Sequence, residues 1–241
     1  MNSTIVINKI DELKFKGLKE AYIRQLEDIH YHTLSFEERL YNLLDSEYIF
    51  LLNKRIDRNF KLSKIKNKQA TIEEIDYAPV RKLDKAQMLS LASMDFIRAK
   101  QNIIITGKTG TGKSYLAQSL ANRAIHDGFG VYYIRMATLL EDIKLSRIDG
   151  SYTKLLNKFA RYKLLIIDDF GVTPISTDDT TNLFEIIELR SETSSTIITS
   201  QLAVKNWYDY LNNNTAADAM LDRITKTSHR IELEGPSMRQ M

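Results

Sequence analysis

The chain has 241 residues, 43% hydrophobic and 27% charged, with a formal net charge of +3 and no cysteine. That length suits one large domain or a small and a medium one, and the balance is that of a soluble globular protein. No apolar run approaches the ~18 residues a membrane span needs, no secretory pattern opens the chain, and the lack of cysteine excludes disulfides and thiolate metal sites, which fits a reducing, cytoplasmic setting.

Residues 1 to about 75 hold one glycine, Gly17, and no proline, and the spacing predicts helix throughout. Leu13, Leu18, Tyr22 and Leu26 recur at helical intervals, with a break over His30–Leu34. Ser35-Phe-Glu-Glu38 is a capping box. Phe36, Leu40, Leu44, Tyr48, Leu52, Ile56 and Phe60 then fall four apart, predicting a long amphipathic helix whose stripe is core packing. Between Leu51 and Ala70 stand seven basic residues (Lys54, Arg55, Arg58, Lys61, Lys64, Lys66, Lys68) and one acid, Asp57. This stretch alone carries +6, which leaves the rest of the chain at −3. Such a one-sided run is the footprint of phosphate-backbone contact, with Lys54, Arg55, Arg58, Lys61 and Lys64 as the candidate contacts. A solvated helix face is the bland alternative. Thr71-Ile-Glu-Glu74 matches a second capping box and Pro79 follows, so the spacing puts a domain boundary near residues 67–80: a helical module over 1–75 and a second domain over 76–241.

A short helix, roughly Asp84–Lys100, leads into Asn102-Ile-Ile-Ile-Thr106, which reads as a buried strand. It runs into Gly107-Lys-Thr-Gly-Thr-Gly-Lys-Ser114, a full G-x-x-x-x-G-K-[ST] match, and then into a helical pattern from Tyr115. Each residue type answers a need. Gly107, Gly110 and Gly112 let backbone N–H groups turn inward around phosphate, with Thr109 and Thr111 between them. Lys113 sets a cation against the β- and γ-phosphates, and the Ser114 hydroxyl is a ligand for Mg²⁺. The helix start, from Ser114 and Tyr115, adds its dipole. A ligand-free glycine turn is the alternative, which the strand before and the helix after disfavour.

Val131–Arg135 reads as the second strand, followed by helices near 137–146 and 152–162. Lys163-Leu-Leu-Ile-Ile-Asp168-Asp169 is a buried strand ending in paired acids. Carboxyl ends of strands are where open α/β sheets place ligands, so Asp168 is the candidate partner of Ser114 on Mg²⁺, and Asp169 the group to orient or deprotonate water. A strand-end turn or helix cap is the plain alternative for such a pair. A helix over 178–192, a strand over Ser195–Gln201, further helix and a last strand over His229–Leu233 complete the pattern. Strands apolar on both faces and alternating with helices predict a parallel sheet covered on both sides.

GKTGTGKS, LLIIDDFG, TIITSQ and ADAMLDR together resemble AAA+ ATPases, closest to the IstB family of ATP-binding helpers of insertion-sequence transposition, with DnaC-like helicase loaders as near relatives. The resemblance spans nearly the whole chain, including the closing IELEGPSMR. It implies an α/β P-loop fold with strand order 5-1-4-3-2 behind a small all-helical N-terminal domain. It also implies ATP hydrolysis with ATP and Mg²⁺ bound. The strand order sets Gln201, beside Ser200, at the γ-phosphate as first sensor. Arg223 matches an arginine finger acting on a neighbouring subunit, and Arg239 a second sensor acting in cis; a surface ion pair is the alternative for each. The implied partners are double-stranded DNA, the transposase of the same element and further copies in a ring or helical filament, with no membrane. The two helices after strand two resemble the insertion of initiators and loaders, where Lys144, Arg147 and Lys154 face nucleic acid. A helicase loader, a small-molecule kinase and a DNA-binding module with a vestigial nucleotide site are the competing functions. The basic helix end and SQLAVKNW disfavour the first, the lack of a lid segment the second, and the presence of Lys113, Ser114 and Asp168 the third.

Overall fold

The structure is a computed structural model that describes residues 2–212 and 215–238. They divide into two compact units, 1–58 and 59–241. The division falls earlier than the boundary expected near residue 75.

The first unit consists of α1 (Ser3–Glu12), α2 (Lys16–Glu27), a 3-10 segment at Ile29–Thr33, and α3 (Phe36–Leu62) up to Arg58. The capping box forms as the sequence predicts: Glu38 N–H donates to Ser35 Oγ at 3.2 Å, and Ser35 N–H to Glu38 Oε2 at 2.8 Å. Gly17 is what lets α2 lie against α3, since a Cβ there would come within 2.4 Å of the Ser46 carbonyl and 2.7 Å of Phe50 Cβ. At that crossing the buried Glu47 accepts from Leu18 N–H at 3.0 Å, supplying a partner for the open N-terminus of α2. The α3 stripe is not the core the sequence predicts: Leu52, Ile56 and Phe60 are half-buried and none of its residues is fully buried. Phe36, Leu40, Tyr41, Leu44, Tyr48 and Leu51 are exposed, because three helices have too little opposing surface to cover a helix that is apolar on most sides.

The second unit is a five-stranded parallel sheet of order β2-β3-β4-β1-β5, which read from the other edge is 5-1-4-3-2. Its first helices are α4 (Lys85–Leu91) and α5 (Asp95–Arg98). The single helix expected over 84–100 breaks at Met94, which takes the left-handed φ of 61° and starts α5 in a new direction. Then follow β1 (Asn102–Gly107), α6 (Lys113–His126), β2 (Val131–Arg135), α7 (Met136–Ile148), α8 (Tyr152–Arg161), β3 (Leu164–Phe170), α9 (Thr177–Arg190), β4 (Ser195–Ser200), α10 (Trp207–Tyr210), α11 (Thr215–Thr225) and β5 (Ser228–Leu233). The inner strands β1, β3 and β4 are buried on both faces, as continuous apolar runs require, while β5 at the edge alternates.

Residues 63–75 are not helical, against the expectation, and they pack on this unit. Ser63 O accepts from Tyr133 N–H of the edge strand β2 at 2.7 Å, and Gln118 Oε1 of α6 accepts from Lys66 and Asn67 N–H at 3.1 and 2.8 Å. Asn122 donates to the Asn67 and Ala70 carbonyls. Side-chain amides of α6 thus satisfy backbone groups that a helix would have satisfied internally. The Thr71–Glu74 match makes its Glu74 N–H to Thr71 Oγ1 bond at 3.3 Å, but it caps a turn and no helix follows.

Candidate active site

The site is built where β1 ends and α6 begins. Gly110 and Gly112 hold φ of 82° and 93°, the region glycine enters without strain, and this turns the loop back on itself. A Cβ on Gly110 would sit 2.8 Å from Ser237 Cβ, and one on Gly112 2.9 Å from Arg81 Nη2, so neighbouring segments pack directly on the loop. Lys113 Nζ donates to the carbonyls of Gly107 and Lys108, both at 2.8 Å, which keeps the ammonium over the mouth of the loop. Beside it lies a cavity of about 420 Å³, within the range of small-ligand sites. It is lined on the loop side by Thr109, Gly110, Gly112, Lys113, Ser114 and Tyr115, and across from them by Asp169 and Gln201.

Asp168, 1% exposed at the carboxyl end of β3, is the polar centre. Its Oδ1 accepts from Ser114 Oγ at 2.8 Å and from Thr199 Oγ1, and its Oδ2 accepts from Tyr133 OH. Three hydroxyls from α6, β4 and β2 therefore aim one buried carboxylate, as a charge without a cationic partner requires. Burial, and then the bond to Asp168, push the Tyr133 phenol above its ordinary value, so it stays a donor. An alcohol and a carboxylate 2.8 Å apart at a phosphate loop are the hard oxygen donors that fit Mg²⁺. Among the described residues there is no cluster of three or more acidic or histidine side chains that would suit a metal held by protein alone.

Asp169 is placed differently. A shift in the β3–β4 register between Ile167 and Phe170 puts it at φ 61°, with its N–H bonded to Thr199 Oγ1 at 3.1 Å. Neighbouring residues on a regular strand point to opposite faces. The irregularity lets both acids serve one site: Asp168 inward to Ser114, and Asp169 into the cavity wall. Arg135 Nε stands 3.7 Å from Asp169 Oδ2.

Gln201 follows β4, between β1 and β3 as the resemblance implies, and its Oε1 accepts from Thr109 Oγ1 at 2.7 Å. Its neighbour Ser200 is buried, with its hydroxyl donating to Phe170 O at 2.7 Å. Tyr115 lines the cavity, and its hydroxyl reaches Glu74 Oε2 at 3.1 Å. Arg223 is elsewhere. Its carbonyl accepts from Asn102 Nδ2 at the start of β1, and its guanidinium pairs with Glu188 at 2.7 Å in a second cavity of about 510 Å³. That is the opposite end of a six-residue strand, about 20 Å from the loop. Arg239 lies outside the described residues. Lys54, Arg55 and Arg58 belong to the first unit and Lys61 and Lys64 to the second; with Lys66 and Lys68 they are all exposed, and none pairs with an acid among the described residues. In the helices after β2, Lys144 pairs with Asp179 at 3.4 Å and Arg147 with Glu185 at 3.5 Å, while Lys154 is exposed.

Four residues of the site escaped the sequence reading. Tyr133 and Thr199 sit in runs that read as buried strand, where a hydroxyl looks like filler. Arg135 closes β2 one strand away from the acid it meets. Arg81 is 5% exposed and donates from Nη2 to Thr111 O at 2.9 Å and from Nη1 to Asp76 O, tying the segment before β1 to the phosphate loop. Strand order could have found Tyr133: β2 lies beside β3, and alternate positions of β2 share a face.

The family described as IstB-like ATP binding protein matches residues 8–241. An insertion-sequence ATP-binding protein of Sinorhizobium fredii is 36% identical over 97% of this chain and 95% of its own length. The ATP-binding protein of insertion sequence IS1162 from Pseudomonas fluorescens is 36% identical over 81% and 85%. Among solved structures, DnaI aligns with a TM-score of 0.58 at 19% identity over 69% of this chain and 92% of its own. AMPPCP-bound DnaA from Aquifex aeolicus aligns with a TM-score of 0.59 at 20% identity over 70% and 51%. At such identities the structural matches speak for the fold alone.

Proposed function

Because the chain belongs to the family of IstB-like ATP-binding proteins and is an ATPase of AAA+ fold, we propose that it assembles on double-stranded DNA with ATP and Mg²⁺ and assists the transposase of an insertion sequence. The observation that supports the DNA part is the run of seven exposed cations from Lys54 to Lys68, none paired with an acid among the described residues. Ion-free lysines and arginines at this density favour a polyanion, and each phosphate neutralised releases counterions.

At the nucleotide, Gly107 to Gly112 offer backbone N–H groups and Thr109 and Thr111 flank them; Lys113 leaves two carbonyls to meet the β- and γ-phosphates. Ser114 and Asp168 would hold Mg²⁺, which when bound neutralises phosphate charge as a Lewis acid. Asp169 orients the attacking water and takes its proton, with Arg135 fixing the carboxylate. Thr109 occupies Gln201 Oε1, which leaves the amide N–H end as the donor toward the γ-phosphate. Arg223 cannot reach the loop of its own sheet, so its reading as a finger requires a neighbouring copy whose transferring phosphoryl group it stabilises.

The test is turnover with and without duplex DNA, together with mixing of Arg223→Ala and Asp169→Asn proteins. DNA should raise turnover, and the mixture should recover activity that neither variant has, through interfaces carrying both intact groups. Turnover indifferent to DNA would remove the DNA part. A mixture as inert as its components would remove the finger.

A further inference from the structure

Residues 63–75 form a strap whose two sides differ. Ser63, Ile65 and Ala70 are buried, whereas Lys64, Lys66 and Lys68 between them are exposed. One face of α6 holds the inner side. Tyr115, Gln118 and Asn122 follow one another at steps of three and four, so they share that face. Tyr115 OH accepts from Thr71 N–H at 3.3 Å, and Gln118 Oε1 accepts from Lys66 and Asn67 N–H at 3.1 and 2.8 Å. Asn122 Nδ2 donates to the Asn67 and Ala70 carbonyls at 3.0 and 2.8 Å. The segment that displays three cations is therefore bonded, through its backbone, to the helix that begins at the phosphate loop.

Gln118 does more than anchor the strap. Its other end, Nε2, donates to Ser114 O at 3.1 Å, one turn back along α6. Two backbone donors on the strap side fix which end of the amide faces them, so its orientation has one solution. Ser114 in turn gives its hydroxyl to Asp168 at 2.8 Å, the pair that suits Mg²⁺. One side chain, 7% exposed, thus spans from the backbone of a surface lysine to the residue that would hold the metal. Glutamine accepts at one end and donates at the other; leucine does neither, and a carboxylate only accepts. Disturbing either end is costly, because each broken bond leaves a buried polar group without water.

Resting on the reading that the exposed lysines of this run meet duplex DNA, we propose that Gln118 is a positioning residue. It couples the Lys64–Lys68 strap to Ser114, so that a phosphate backbone held by the strap steadies the first turn of α6 around the metal-binding hydroxyl. The element with two arrangements is the Gln118 amide, bonded at both ends or released from Ser114. Such coupling is reciprocal. A polyanion on the strap steadies Ser114, and occupation of the nucleotide site steadies the strap.

Both directions can be read in the full chain. Without DNA, adding Mg²⁺ and the unhydrolysed ATP analogue AMPPCP should slow hydrogen exchange of the Lys66 and Asn67 amides about tenfold in the unmodified chain. In Gln118→Glu it should not, since the carboxylate still accepts from both amides but cannot donate to Ser114 O. With ATP, the ratio of turnover at saturating duplex to turnover without it should exceed one in the unmodified chain. It should fall to about one in both Gln118→Glu and Gln118→Leu. Stimulation kept by Gln118→Glu and lost only in Gln118→Leu would make the residue a plain anchor of the strap and overturn the proposal. Amide exchange in the unmodified chain that ignores the nucleotide would overturn it as well. If duplex fails to stimulate the unmodified chain while nucleotide still protects the two amides, the DNA reading falls and the tie from Gln118 to Ser114 stands.

Discussion

Helices α6 and α3 both read as helix in sequence, and they end up in opposite circumstances. Ten of the fourteen residues of α6 are buried, and its polar ones are engaged: Gln118 and Asn122 hold backbone groups of residues 66–70, and Ser114 meets Asp168. In α3, large apolar side chains and a terminal run of cations face outward. The contrast separates what one chain completes alone from what it leaves for others. Around Asp168 each oxygen already has its donors, so the nucleotide site is preorganised before anything binds. Along α3 apolar surface and positive charge are both unspent, which is the condition of an element whose partners lie outside the chain.

The comparison breaks first on the sheet side. Asp169→Asn should lower turnover by about 10²- to 10³-fold, the scale of a missing general base, while leaving ATP affinity unchanged in equilibrium binding. A proportional fall in affinity would mean that Asp169 shapes the loop instead. Lys113→Ala should weaken ATP by roughly 100-fold, since charge-assisted bonds to phosphate disappear. Calorimetric affinity equal to that of the unmodified chain would dissociate the cradle from the nucleotide.

On the open side, replacing Lys61, Lys64 and Lys66 with glutamine should weaken duplex binding by about tenfold or more. The slope of log affinity against log salt should also flatten by about 0.9 for each phosphate that is no longer neutralised. An unchanged slope would leave these lysines as mere surface. The smallest effect sharpens the preorganised side. Tyr133→Phe should raise the Mg²⁺ concentration needed for half-saturation of nucleotide binding by about threefold to tenfold, as Asp168 keeps only two of its three donors. ATP binding measured without Mg²⁺ should not move.

Much of this molecule is legible in the order of its residues, and the places where that order misleads share a cause. The loop, its flanking strand and helix and the Ser35 box rest on short-range pattern or on a motif with one structural solution, whereas the strand order is what the family resemblance implies. The Thr71–Glu74 match does not start a helix because a capping box describes a turn. Whether a helix follows depends on what else can satisfy the next N–H groups; here Ile75 N–H bonds back to Ile72 O and Ala78 N–H to Asp76 Oδ1. The α3 stripe is not core because periodicity reports which side chains share a face, not whether anything covers that face.

By itself, the order of amino acids determined that a phosphate-binding loop joins a buried strand to a helix, that paired acids end another buried strand, and that positive charge gathers in one stretch. Those are properties of neighbours along the chain, fixed by glycine's freedom, side-chain period and charge. Only the folded chain decided that Tyr133 and Thr199 aim Asp168, that a register shift brings Asp169 to the same site, and that Arg223 stands at the far end of the sheet. Such placements depend on which strands lie side by side, and burial then gives each hydroxyl a single partner to bond.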